Sequence, residues 1–117
     1  MLHSPGNESL IGKIEYVEFT DVGQAFQLGR YPIHFHMIGT IHNSYAKGNA
    51  IHQTYNRAIT LHGIHYFTIQ DNVAYDTMGH TIFVEDAAET NNLIERNLIV
   101  QTKRSWSARS SYVRSNC

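Results

Sequence analysis

Eight histidines stand among 117 residues, and seven of them (His34, His36, His42, His52, His62, His65 and His80) lie between positions 34 and 80. When the repeated segments of the chain are overlaid, His62 shares a column with Glu85, and Gly63 shares one with Asp86. On stacked strands about 4.8 Å apart, an imidazole and a carboxylate in one column could act as an acid/base pair or hold a divalent ion. His34 and His36 flank Phe35 and therefore face one side of a short strand. The functional set is then His34, His36, His62, His65, Glu85 and Asp86 on one face, with Glu85, Asp86 and His62 as catalytic candidates. A glycosidase needs two carboxylates, about 5 Å apart for retention or about 6.5–9.5 Å for inversion. Neighbours such as Glu85 and Asp86 point to opposite faces within a strand and can meet only in a turn. Asp76 and Glu89 are candidates of lower merit. The plainer alternative is that histidines at solenoid turns bond nearby carbonyls and do no chemistry. Zinc is disfavoured, because there is no His-x-x-x-His pair on a helix and no cysteine cluster. No cofactor is expected, a divalent metal being left open.

What would position these groups is a repeat. Gly48-Asn49-Ala50-Ile51, Asp71-Asn72-Val73-Ala74 and Arg96-Asn97-Leu98-Ile99 overlay, their asparagines 23 and 25 residues apart. Thr54, Thr77 and Thr102 share a second column, and Ala46, Ile69 and Ile94 a third. Ala58–Leu61 overlays Thr81–Val84. A fixed period of this length marks a solenoid, whose units bury their apolar faces by stacking. A leucine-rich repeat has a similar period, but its second half is a helix or loose turn. Here that half is short, β-branched and bounded by glycine and asparagine, which signals strands. The expected fold is all-β, an incomplete right-handed parallel β-helix of the pectin-lyase kind with three to four turns. Asn49, Asn72 and Asn97 should form a ladder at a bend. Asp21–Leu28 overlays Thr54–Leu61 without gaps, which makes residues 29–43 an excursion between turns. Such insertions gather on one face, often the binding face. Arg30, Tyr31, His34 and His36, with His65, are therefore the binding candidates. Tyr31, Tyr55, Tyr66, Tyr75 and Trp106 offer sugar-stacking rings, although large rings more often serve the core. Asp71 and Arg96 read as a surface ion pair.

Composition bounds the rest. Hydrophobic residues make up 42% and charged ones 16%, with a net charge of −1, so no electrostatic case exists for nucleic acid or an anionic membrane. No apolar run approaches the ~20 residues of a membrane span, and residues 1–6 lack the marks of a signal peptide. The single cysteine, Cys117, closes no internal disulfide. Three parts are expected: a lead-in at 1–12, the β-helix at 13–106 and a mobile tail at 107–117. Neither end shows a convincing cap, so the chain reads as a piece of a longer protein.

The string from Gly23 through Tyr31-Pro32-Ile33-His34-Phe35-His36 resembles a signature of the fibrocystin-L family, which includes the cell-migration-inducing hyaluronidases. The resemblance continues through Gly48–Ala58, Leu61-His62-Gly63, Asp71–Asp76, Val84-Glu85-Asp86 and Glu89–Asn92, and covers about residues 13–106. It implies large extracellular or membrane-anchored proteins with a right-handed parallel β-helix, some of which bind and depolymerise hyaluronan. Three functions follow as expectations: a binding or structural segment of a cell-surface protein facing a glycan or a protein partner, a fragment of a hyaluronan-degrading enzyme, or an inactive piece. The first is favoured, and this chain by itself is expected not to catalyse.

Overall fold

The computed structural model describes residues 2–3 and 7–104. The expected mobile tail, Trp106 and Cys117 lie outside those residues. Among the described residues twelve short strands form three parallel sheets of four strands each. Sheet I stacks β1 (Leu2–His3), β4 (Ile33–Thr40), β7 (Ile59–His65) and β10 (Ile82–Val84). Sheet II stacks β2 (Lys13–Glu15), β5 (Tyr45–Lys47), β8 (Thr68–Gln70) and β11 (Leu93–Glu95). Sheet III stacks β3 (Glu18–Thr20), β6 (Ala50–His52), β9 (Val73–Met78) and β12 (Leu98–Lys103). Each circuit of chain contributes one strand to each sheet, which is a parallel β-helix. Leu2–His3, inside the expected lead-in, pairs with Phe35 and His36 as an edge strand of sheet I.

The corner between sheets II and III shows why the asparagines recur. Tyr16, Gly48, Asp71 and Arg96 all take φ between 52° and 62° there, a left-handed bend that costs an L-residue about 1–2 kcal/mol. The next residue offsets that cost. Asn49 Oδ1 accepts from the Val17 N–H at 3.1 Å, Asn72 Oδ1 from the Asn49 N–H at 3.0 Å, and Asn97 Oδ1 from the Asn72 N–H at 3.0 Å. The side-chain amides also chain upward, Asn49 Nδ2 to Asn72 Oδ1 and Asn72 Nδ2 to Asn97 Oδ1, both at 2.9 Å. The Nδ2 group of each also reaches the circuit below, donating to the Ile14, Ala46 or Ile69 carbonyl oxygen. Gly48 takes that bend without the cost, and it also lies close under an exposed ring. A Cβ there would stand 2.7 Å from the Tyr16 ring.

Inside the coil Ile33, Phe35, Ile38, Ala46, Ile51, Ile59, Leu61, Ile64, Phe67 and Ile69 form one buried cluster, with the Phe35 and Phe67 rings 4.5 Å apart. The first circuit departs from the gapless overlay of Asp21–Leu28 on Thr54–Leu61. Thr20 pairs with His52, so Asp21 lies one position earlier, under the left-handed corner residue Gln53. Residues 21–32 carry no strand, and it is Ile33 and Phe35 that pair with Ile59 and Leu61. The excursion is therefore 21–32, and residues 33–40 belong to sheet I. Burial decides it, since Phe26 and Leu28 are 66% and 60% exposed while Ile33 and Phe35 are almost fully enclosed.

Candidate functional site

Strand alternation sends Ile33, Phe35, Ile59 and Leu61 inward, and so His34, His36, Thr60 and His62 onto the outer face of sheet I. Register then stacks them. His3 pairs with His36, and His36 with His62, while Glu85 follows Val84, the partner of Leu61, so its place is above His62. The ring centroids stand 4.8 Å apart for His3 and His36, 4.5 Å for His36 and His62, and 5.1 Å for His34 and His36. His62 meets a carboxylate at each nitrogen, Glu85 Oε2 3.4 Å from Nδ1 and Asp86 Oδ2 2.8 Å from Nε2.

Two adjacent carboxylates reach one ring because β10 ends at Val84 and the chain bends. Glu89 holds that bend. Its Oε1 accepts the Gly63 N–H at 2.9 Å and the Asp86 N–H at 3.4 Å, and its Oε2 accepts the Ala88 N–H at 3.0 Å. Burial raises the Glu89 pKa, but these backbone donors outweigh it and hold the carboxyl below its ordinary range.

The 21–32 excursion covers the other side of the cluster. Asn56 Nδ2 pins it by donating to the Gln24 and Gln27 carbonyl oxygens at 3.0 and 2.9 Å. His34 Nδ1 donates to Gly29 O at 2.9 Å. Arg57 joins the loop to the sheet: it is 6% exposed, donates from Nη1 to Tyr31 Oη at 2.8 Å, and lies 3.9 Å from the Phe83 ring centre. Its Nη1 is 4.0 Å from Glu85 Oε1, and both side chains are buried. Burial lowers the His34 pKa to about 4, and nearby His36 and His62 push the same way against the Gly29 bond. His36 is also lowered, by burial and then by His62 and His3, with Glu85 and Asp86 opposing.

Of the sequence candidates, His34, His36, His62, Glu85 and Asp86 are thus brought together, and Tyr31 joins them through Arg57. His65 is engaged elsewhere, its Nδ1 3.0 Å from both Thr90 Oγ1 and the Thr90 N–H. Arg30 is exposed and lines an open cleft of about 340 Å³ with Gln24, Gly29, Tyr31 and Pro32. Asp76 pairs with Lys103 at 3.0 Å. Tyr55, Tyr66 and Tyr75 are 44–48% exposed on the surface. Arg57 was not a candidate from sequence. Alternation counted back from Ile59 turns it toward the core, but Ala58 and Ile59 are both core residues, so the count restarts at that corner.

Residues 5–117 match the family model described as CEMIP beta-helix. The chain belongs to the CEMIP β-helix family. Mouse fibrocystin-L is 48% identical to it over 110 residues, covering 92% of this chain and 3% of that protein, and human fibrocystin-L is 46% identical over the same length. The human cell surface hyaluronidase CEMIP2 is 39% identical over 97 residues, 77% of this chain and 7% of that protein. The chain therefore spans a few per cent of the length of these relatives. No solved structure matches it. A CEMIP β-helix accounts for the three stacked sheets and for the fibrocystin-L-like string on which the histidine cluster lies.

Proposed function

We propose that this chain is a glycan-binding segment of a cell-surface protein of the fibrocystin-L type, with the outer face of sheet I as the binding face. The observation that carries the reading is where the polar groups stand. His36, His62 and Asp86 are partly or fully exposed around a buried Arg57–Tyr31–His34 support, on the outer side of the strands that carry Ile33, Phe35, Ile59 and Leu61 into the core. Such donors and acceptors on a rigid sheet suit the hydroxyls and amides of a polysaccharide such as hyaluronan. Arg30, exposed on the 21–32 loop, suits its carboxylates. The cell-surface location rests on the relatives, one of which is named a cell surface hyaluronidase. Among the described residues no helix is long and apolar enough to cross a membrane.

One observation favours a second reading, a part in hyaluronan depolymerisation. His62 with a carboxylate at each ring nitrogen is an acid/base arrangement. A single experiment separates the two. The purified chain, verified as folded by circular dichroism, is incubated with hyaluronan with and without chelator, and both binding and polymer length are measured. Binding with unchanged polymer length supports the recognition surface, and shortening supports the catalytic reading. A folded chain that neither binds nor shortens hyaluronan overturns both.

A further inference from the structure

The hydrogen bonding around His34 points beyond glycan recognition. Its Nδ1 donates to the Gly29 carbonyl, which can only accept, so neutral His34 carries no proton on Nε2. That Nε2 is fully buried and has no hydrogen-bond partner, although His34 is only 3% exposed. A buried lone pair without a donor is costly. One nitrogen from each of His34, His36 and His62 lies within 4.8 Å of the others. With Nδ1 committed to Gly29, the nitrogen that His34 offers is Nε2.

We infer that His34, His36 and His62 form a site for a divalent transition ion of the zinc class. Three neutral imidazoles are the donor set such ions prefer, whereas calcium and magnesium take oxygen. A ligating histidine characteristically donates its other N–H to a backbone carbonyl or carboxylate, which is the Gly29 bond of His34. Bonds of about 2.0–2.1 Å to one tetrahedral ion place three nitrogens about 3.3 Å apart. His36 and His62, half-buried at the surface, rotate inward to meet that distance while His34 stays fixed. Glu85 and Asp86, already at the two nitrogens of His62, supply the negative charge, and the one at the nitrogen that does not ligate orients the ring. The sequence disfavours zinc, having no His-x-x-x-His pair on a helix and no cysteine cluster. The stacking of strands 26 residues apart, His36 beneath His62, replaces the helix turn.

The test needs no glycan, so its outcome is independent of the binding reading above. Zn²⁺ is titrated into the full chain by calorimetry, and Co²⁺ serves as a visible-absorption probe of nitrogen coordination. One ion per chain and a tetrahedral cobalt spectrum are expected, with no heat from Ca²⁺ at the same concentration. His36→Gln and His62→Gln, both at partly exposed positions, should each weaken Zn²⁺ binding by about a hundredfold or more, beyond the roughly 10–100-fold of an outer-sphere partner. His52→Gln removes the imidazole that bonds Glu18 on sheet III and should leave binding unchanged. The site is overturned if folded wild-type chain binds no Zn²⁺, if both substitutions bind like wild type, or if His52→Gln weakens binding as much.

Discussion

Truncating Asn72 to alanine removes the middle of the corner ladder. Its Oδ1 accepts the Asn49 N–H at 3.0 Å and Asn49 Nδ2 at 2.9 Å, and its Nδ2 donates to Ala46 O and Asn97 Oδ1, both at 2.9 Å. Four hydrogen bonds go, but their worth is unequal. Asn49 Nδ2 keeps Ile14 O, and Asn97 Oδ1 keeps the Asn72 backbone N–H. The Asn49 N–H loses its acceptor at a residue that is 1% exposed, and the carbonyl of fully buried Ala46 loses a donor. At about 1–3 kcal/mol for each buried group deprived of a partner, Asn72→Ala should cost about 2–5 kcal/mol. That is a large share of the roughly 5–15 kcal/mol a domain possesses. Arg96→Ala is the control one position from the ladder. It removes a two-point ion pair with Asp71 at 2.8 and 3.1 Å, but both side chains are at least half exposed, and such pairs contribute about 0–1 kcal/mol. Urea unfolding followed by far-ultraviolet circular dichroism measures both. If Asn72→Ala costs no more than Arg96→Ala, the ladder is not what holds the corner.

Arg57→Met should destabilise the chain by about 3 kcal/mol or more, because it breaks a buried ion pair from one side, and should speed proteolysis within residues 21–32. The double variant Arg57→Met/Glu85→Leu should recover much of that loss in the same unfolding assay. Glu89 has a folded pKa below its ordinary 4.5, so its contribution is present above that value and disappears as pH falls through the lower folded value. Acid unfolding of Glu89→Gln should therefore lose part of the steep limb below pH 4.5, with the curves running parallel above it. Gly48→Ala places a methyl 2.7 Å from the Tyr16 ring, but that ring is 84% exposed and can swing away. The expected cost is the left-handed backbone alone, about 1–2 kcal/mol, read by thermal unfolding.

The stack was legible wherever one column demanded one residue type. Asn49, Asn72 and Asn97 recur because the left-handed corner before each leaves a backbone N–H that a short carboxamide can satisfy. The first circuit was misread because Ala25-Phe26-Gln27-Leu28 mimics a strand in composition while lying in a loop. A better signal was present: Ile33-x-Phe35-x-x-Ile38 repeats as Ile59-x-Leu61-x-x-Ile64, all six buried, with left-handed Met37 and Gly63 at equivalent places. The His62–Glu85 column followed from the period. That Asp86 would meet the same ring did not, because it depends on Glu89 bending the chain after Val84. Arg57 escaped notice because its partners Tyr31 and Phe83 lie 26 residues away on either side, and no local pattern joins them.

The central claim is that the outer face of sheet I is where this protein meets a polysaccharide. Histidine-ring NMR during titration with hyaluronan oligosaccharides, in chelator, tests it most directly. The ring signals of His36 and His62 should move saturably, while those of His52 on sheet III and His42 against Tyr66 stay put. Movement confined to His52 or His42, or no movement of any ring at saturating sugar, would contradict it.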